Sequence, residues 1–289
     1  MKNDGFKTRF ISHLQSLGHF EDTFSLTPLE GGRSNTVWQV QQKHSLVLKL
    51  YDSKASNPLF ANECSREAAV LRALSGTGLA PELCASGRFE HRDWVLYTYL
   101  AGQAWDRNTP EVAQLLGQIH SRIAPSDLPI GCNGSDDLLR SANDILAGCG
   151  SQIAKELRAL DIQGHVAPIE KTSLIHGDPV PGNIVNSVAT LKMIDWQCPA
   201  NGDPAEDIAM FLSPAMQFLY RGTPLHRAEQ QDFLANYPAE NIVERYQALR
   251  PWFHLRMAAY CIWQAERGNS DYARAFDFEW DDLLRSIQR

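Results

Sequence analysis

The chain has 289 residues, 44% of them hydrophobic and 21% charged, and a formal net charge of -7. That length supports one large or two modest domains with a substantial core, and the acidic balance disfavours a nucleic-acid partner. Six cysteines (Cys64, Cys84, Cys132, Cys149, Cys198, Cys261) form no C-x-x-C pair, which argues against a disulfide framework or a cysteine metal site.

The opening "GFKTRFISHLQSLGHF" sets Phe6, Phe10, Leu14 and Leu17 on one face and predicts an amphipathic helix. The N-terminus lacks the apolar core of a signal peptide, and no apolar run reaches the length of a membrane span. The expectation is a cytoplasmic protein with no membrane partner. Three β-like runs follow, "FSLTPLE", "NTVWQVQ" and "SLVLKLY", the first two joined by "GGRSN", a hairpin tip. "LFANECSREAAVLRALSGTG" reads as a helix with Ala68, Leu71 and Leu74 along one side and a stop at Gly76 and Gly78. "PELCASGRFE" and "DWVLYTYLAG" are two more strands. The first hundred residues thus read β-β-β-α-β-β, a mostly antiparallel sheet with one helix.

After "AGQ" the pattern changes. "TPEVAQLLGQIHSRIA", "DDLLRSANDILAGCGSQIAKELRALDI", "PAEDIAMFLSPAMQFLY" and the chain from Leu225 onward read as helices. The strand-like exceptions are "NIVNS" and "TLKMIDW". The fold class expected is α+β, with a β-rich lobe over 1–100, a helical lobe over 101–289 and a hinge near Leu100 to Gln103.

Running into the first of these strand-like pieces is the densest polar segment, "LIHGDPVPGNIVN". A turn there projects His176, Asp178 and Asn183 toward one cleft, and Asp195 ends the next strand. The catalytic loop H-R-D-x-x-x-x-N of protein kinases has a histidine, an acid and an amide at the same spacing, and "IDW" stands where D-F-G follows. The first lobe adds Lys49 in the apolar run "LVLKL", where an unpaired ammonium is costly. Glu63 and Glu67 on the next helix are candidate counter-ions, and Glu67 is favoured because it sits with Ala68 and Leu71.

At this point the chain resembles the aminoglycoside phosphotransferase and choline kinase family, which has a two-lobed protein-kinase-like fold. The resemblance runs through "LEGGRSNTVWQV", "LVLKL", "REAAVLRAL", "YTYLAG", "LLGQIH" and "LIHGDPVPGNIV" to "MIDWQCPANGDPAEDIAMF". It implies ATP and Mg2+ as cofactors and a small hydroxyl-bearing acceptor. It makes Asp178 the catalytic aspartate that accepts or orients the proton of the attacking hydroxyl, and Asn183 and Asp195 the magnesium ligands. It further implies that Lys49 grips the nucleotide phosphates with Glu67 orienting it, that Gly32, Ser34 and Asn35 cover them, and that the backbone around Tyr97 to Tyr99 meets the adenine. Asp207 and His176 would brace the loop.

Other polar groups have plainer readings. His120 is a packed, hydrogen-bonded histidine, Arg33 an exposed hairpin-tip residue, and Cys198 a thiol with no base beside it. In "RPWFHLRMAAYCIWQAERGNSDY", Trp252, Tyr260 and Trp263 with Glu266 and Asp271 could cage an amine, although helical spacing reads first as core. Two departures from the family pattern stand out: Pro179 and Val180 after the catalytic acid, and Gln197 where choline kinases tend to carry an acid. The expectation is a kinase for a choline-, ethanolamine- or thiamine-like amino alcohol, ranked above an aminoglycoside. The alternative is a nucleotide-binding pseudokinase without turnover. A protein kinase is disfavoured by the missing A-P-E segment.

Overall fold

The computed structural model describes residues 2–29, 35–52, 57–187 and 190–288. Helix α1 (Lys2–Ser16) precedes strands β1 (Ser25–Pro28), β2 (Thr36–Gln41) and β3 (Leu46–Leu50), then helix α2 (Cys64–Ala73) and strands β4 (Leu83–Phe89) and β5 (Arg92–Thr98). The five strands form one antiparallel sheet in the order β1-β2-β3-β5-β4.

The two-residue period of β3 explains how this sheet is covered on both faces. Leu46, Leu48 and Leu50 pack with Trp94 and Leu96 against Phe10 and Leu14 of α1. Val47, Lys49 and Tyr51 therefore turn to the opposite face, where Val47 and Tyr51 pack with Val70 and Leu71 of α2. Leu17 departs from the expectation: α1 ends at Ser16 and Leu17 is 50% exposed.

The second lobe begins with β6 (Gln103–Ala104), α3 (Thr109–His120), α4 (Ser135–Ala147) and α5 (Gln152–Arg158). The last two were expected as one helix. They part because Ser151 starts a new one, accepting the Ala154 N–H on its hydroxyl. Then come β7 (Ser173–Ile175), a 3₁₀ turn (Pro181–Asn183), β8 (Ile184–Asn186), β9 (Leu191–Met193) and β10 (Ala200–Gly202). Helices α6 (Ala205–Leu212), α7 (Pro214–Arg221), α8 (Arg227–Asn236), α9 (Glu240–Ala265) and α10 (Asp271–Ile287) complete the lobe.

Strands β6, β8 and β9 form one small sheet, and β7 pairs with β10 in another. Strands β6, β7 and β10 are absent from the sequence-based expectation. At two or three residues each they show no period of their own, whereas the equally short β8 and β9 lie inside the longer runs "NIVNS" and "TLKMIDW". Their effect is to clamp the polar segment 176–183 between two pairs of strands. Among the described residues, no helix is long and apolar enough to cross a membrane.

Candidate active site

The loop after β7 is held by a buried carboxylate beneath it. Asp207, on α6, accepts the His176 N–H at 2.7 Å and the Gly177 N–H at 2.8 Å, one on each oxygen. His120 of α3 donates from Nε2 to Asp207 Oδ2 at 2.9 Å, and its Nδ1 bonds the Tyr237 hydroxyl at 2.6 Å. Burial alone would raise the Asp207 pKa, but these bonds and the nearby imidazoles hold it below the usual carboxylate range. Gly177 has φ +82°, and a Cβ there would lie 2.3 Å from the Cys198 carbonyl oxygen, so only glycine fits.

His176 is fully buried and spans the loop. Its Nε2–H donates to the Ile194 carbonyl at 2.9 Å, and its Nδ1 accepts the Asp178 N–H at 3.2 Å. This pattern requires the neutral imidazole, and burial lowers its pKa accordingly. One ring thus sets the spacing between the segment before Asp178 and the segment before Asp195. Pro179 and Val180, the residues that depart from the family pattern, are buried, and Val180 packs in the second core cluster. They anchor the loop from below.

Asn183 closes the turn on Asp178. Its Nδ2 donates to the Asp178 carbonyl at 2.9 Å and to Asp178 Oδ2 at 3.2 Å, while the Ile194 N–H donates to the Asn183 carbonyl at 2.9 Å. Asp195 follows with φ +64°, a left-handed conformation that a short polar side chain tolerates. That turn carries its carboxylate to Lys49.

Lys49 is 3% exposed and sits between two carboxylates. Its ammonium donates to Glu67 Oε2 at 2.8 Å and contacts Asp195 Oδ1. Burial would lower its pKa, yet Asp195 and then Glu67 outweigh that effect and hold it well above its usual value. Glu67 is the counter-ion, whereas Glu63 is exposed at the start of α2. Sequence reasoning missed a third member. The Tyr51 hydroxyl donates to the same Glu67 oxygen, and its ring lies 5.1 Å from the Lys49 nitrogen. The available signal was the spacing: Lys49 and Tyr51 are two residues apart and therefore share a face.

Lys49, Asp178, Asn183 and Asp195 all line one cleft of about 490 Å³ between the lobes. Its two ends differ. Val37, Val47, Pro81, Leu100, Val185 and Ile194 make one end aliphatic, and Phe60, Tyr220, Tyr260 and Tyr272 make the other aromatic. Tyr97 and Tyr99 line the aliphatic end. The Tyr99 N–H already donates to Ser45 at 2.9 Å, so its backbone has only the carbonyl to offer.

Asn35 lines the cleft, but its side chain is fully engaged by protein. Its Nδ2 donates to Asn62 at 2.7 Å and to Gln197 at 2.9 Å, while its Oδ1 accepts from Asp52 and Asn62. Gln197 therefore joins the two lobes. Gly32, Ser34 and Arg33 lie outside the described residues.

Of the C-terminal aromatic set, Tyr260 reaches the cleft and Trp252 is core. Trp263 stacks on Tyr260 and carries the Arg267 guanidinium 4.0 Å from its ring. Glu266 caps the approach to α5 through the Gly150 and Ser151 N–H groups, so it supplies no cage wall. Cys198 is an inert thiol, its pKa raised by burial first and by Asp178 and Asp195 next. Among the described residues, no three His, Cys, Asp or Glu side chains gather as a metal cage.

Comparison with known proteins bears on the family and the fold. The model of the phosphotransferase enzyme family matches residues 25–252. A thiamine kinase of Shigella dysenteriae serotype 1 (strain Sd197) is 27% identical over 210 residues, 67% of this chain and 69% of that protein. A choline/ethanolamine kinase family protein from Mesorhizobium loti superposes with a TM-score of 0.66 at 14% identity, covering 98% of this chain and 95% of that one. An aminoglycoside-3'-phosphotransferase of type VIII superposes at 0.54 with 16% identity, covering 84% and 98%. Both structures share the two-lobed fold.

Proposed function

The chain belongs to the phosphotransferase enzyme family, and on that premise we propose that it moves the γ-phosphoryl group of ATP, with magnesium, to the hydroxyl of a small amine-bearing alcohol. The observation that carries this reading is the buried Lys49, bridging Glu67 and Asp195 in the same cleft as Asp178 and Asn183. Phosphoryl transfer asks a protein mainly for alignment and for neutralisation of charge on the transferring group, and these five side chains supply both.

In this reading Lys49 holds the nucleotide phosphates and Glu67 keeps its ammonium aimed. Asp178 accepts or orients the proton of the attacking hydroxyl. Its backbone N–H and carbonyl are tied to His176 and Asn183, which fixes the position from which the carboxylate acts. Asn183 and Asp195 would hold magnesium. The donor set fits: an amide oxygen turned away from the bonds to Asp178, and a carboxylate that is 32% exposed, are both hard oxygen ligands. A bound magnesium would draw charge from the phosphate oxygens. The aliphatic end, with Tyr97 and Tyr99 at its edge, would take the adenine. Asn35 would shape the phosphate loop from its base rather than touch phosphate with its side chain, and Gly32 and Ser34 remain the proposed phosphate-covering residues.

The acceptor end favours one positive charge on an aromatic or quaternary group. Asp178 and Asp195 are the only carboxylates among the described lining residues, and Asp195 already faces Lys49. A polycationic antibiotic asks for more acids, whereas a flat or methylated cation is suited by tyrosine and phenylalanine faces. Thiamine is therefore the first acceptor to assay, ahead of choline and ethanolamine. The test is coupled ADP release over thiamine, amino alcohols, sugars and aminoglycosides, with Asp178→Asn as control. Acceptor-dependent release that the variant abolishes supports the reading. ATP binding without any turnover would instead favour the pseudokinase alternative.

A further inference from the structure

One wall of the acceptor end comes from the nucleotide lobe. Asn57 and Phe60 lie between β3 and α2, yet they line the cleft that holds Asp178. Asn57 uses both ends of its amide. Its Oδ1 accepts the Leu59 N–H at 3.0 Å and the Phe60 N–H at 2.9 Å, shaping the turn. Its Nδ2 leaves the lobe and donates to the Tyr260 hydroxyl of α9 at 2.8 Å, across 203 positions of sequence.

The receiving side is rigid. Tyr260 is 2% exposed, and its hydroxyl also accepts from Gln264, which Asn269 holds at 2.5 Å. The Phe60 ring meets the Tyr260 ring edge-on, with centroids 5.2 Å apart and planes at 85°. Leu59 and Phe60 pack against the core cluster of the helical lobe. Burial raises the Tyr260 pKa, the bonds from Asn57 and Gln264 oppose that rise, and the charge of Asp178 adds to it.

We propose that the turn Asn57–Phe60 is the acceptor-specificity element of this kinase, supplied by the nucleotide lobe and latched to the helical lobe through Tyr260. The proposal rests on the reading that the acceptor lies at the aromatic end beside Asp178. Both lobes then wall the acceptor, and the lobe arrangement that aligns Lys49 also completes the acceptor pocket. Acceptor and nucleotide consequently assist each other's binding, by the same factor in both directions.

The test uses the full chain, thiamine and ATP. Phe60→Leu keeps an apolar side chain of similar size and removes the aromatic edge. It should raise KM for thiamine about tenfold, with kcat and KM for ATP within about twofold of wild type and the melting temperature unchanged. Tyr260→Phe keeps the ring and removes the latch. It should raise KM for thiamine and lower the mutual assistance between thiamine and a non-hydrolysable ATP analogue, measured by calorimetry. A double-mutant cycle of Asn57→Ala and Tyr260→Phe in thermal unfolding reads the latch without any ligand, and strict additivity would overturn it. Equal changes in both KM values, or no change in either, would overturn the specificity role. A wild-type chain that phosphorylates none of the panel would overturn the proposed function instead, which keeps the two failures apart.

Discussion

The two ends of the cleft are built on opposite principles. At the end built around Lys49, a lysine, two carboxylates and a tyrosine hydroxyl converge within hydrogen-bonding reach, three of the four nearly out of contact with water. At the aromatic end, neutral rings and amides from α7, α9, α10 and the 57–60 turn line the cleft. The chemistry common to a kinase family demands fixed charge at fixed positions. Acceptor recognition asks only for a shape with a suitable face, which many residue combinations provide. The contrast predicts that single changes at the first end are severe and that those at the second are graded.

The largest effect should come from Asp178→Asn, where loss of the carboxylate lowers kcat by about 10³-fold while the nucleotide-induced rise in melting temperature stays. Lys49→Met comes next. It leaves Glu67 buried without its cation, and urea unfolding should show a loss of about 3–5 kcal/mol with turnover largely gone. Asp207→Asn sits beyond the cleft but under its loop. It replaces a charged acceptor of three hydrogen bonds, and the expected loss is about 2 kcal/mol of stability with a fall in kcat. Tyr220→Ala, at the acceptor end, should raise acceptor KM by roughly fivefold, about 1 kcal/mol, and leave KM for ATP alone. A Tyr220→Ala defect as deep as that of Lys49→Met would break the comparison.

Acidity offers a smaller and separate test. His176 has a folded pKa below its unfolded value near 6.5. As pH falls through that value the unfolded chain binds a proton that the folded chain refuses, so stability declines. Asp207 acts in the same direction at lower pH, because its depressed folded pKa confers stability that is lost as the carboxylate protonates. The melting temperature should therefore fall from pH 7.5 to 5.5, and His176→Asn should flatten part of that slope.

The same contrast explains how much was legible in the sequence. An ammonium inside "LVLKL" needs a buried partner, and the spacing of His176, Asp178 and Asn183 is a motif; both could be read before any fold was seen. Glu67 was separable from Glu63 because it shares a helix face with Leu71. The protein contacts of Asn35 were not legible, since its four hydrogen bonds go to three residues, Asp52, Asn62 and Gln197, that no spacing announces. Met216, Tyr220, Gln264 and Tyr272 were missed for a related reason. They sit on helices whose periodicity reports core and surface, and a cleft-facing residue looks like either. The strands β7 and β10 were missed because, unlike the equally short β8 and β9, they were not read as part of a longer strand-like run.

The hydroxyl of Tyr51 bears on timing. Glu67 is tied from the strand at two points, by the lysine and by the tyrosine that follows it. Swinging α2 outward would take the acceptor from the buried Tyr51 hydroxyl and leave the ammonium with Asp195 alone, a state uphill by about 1–3 kcal/mol for the orphaned hydroxyl. The Lys49–Glu67 pair is therefore assembled as the chain folds, ahead of any ligand.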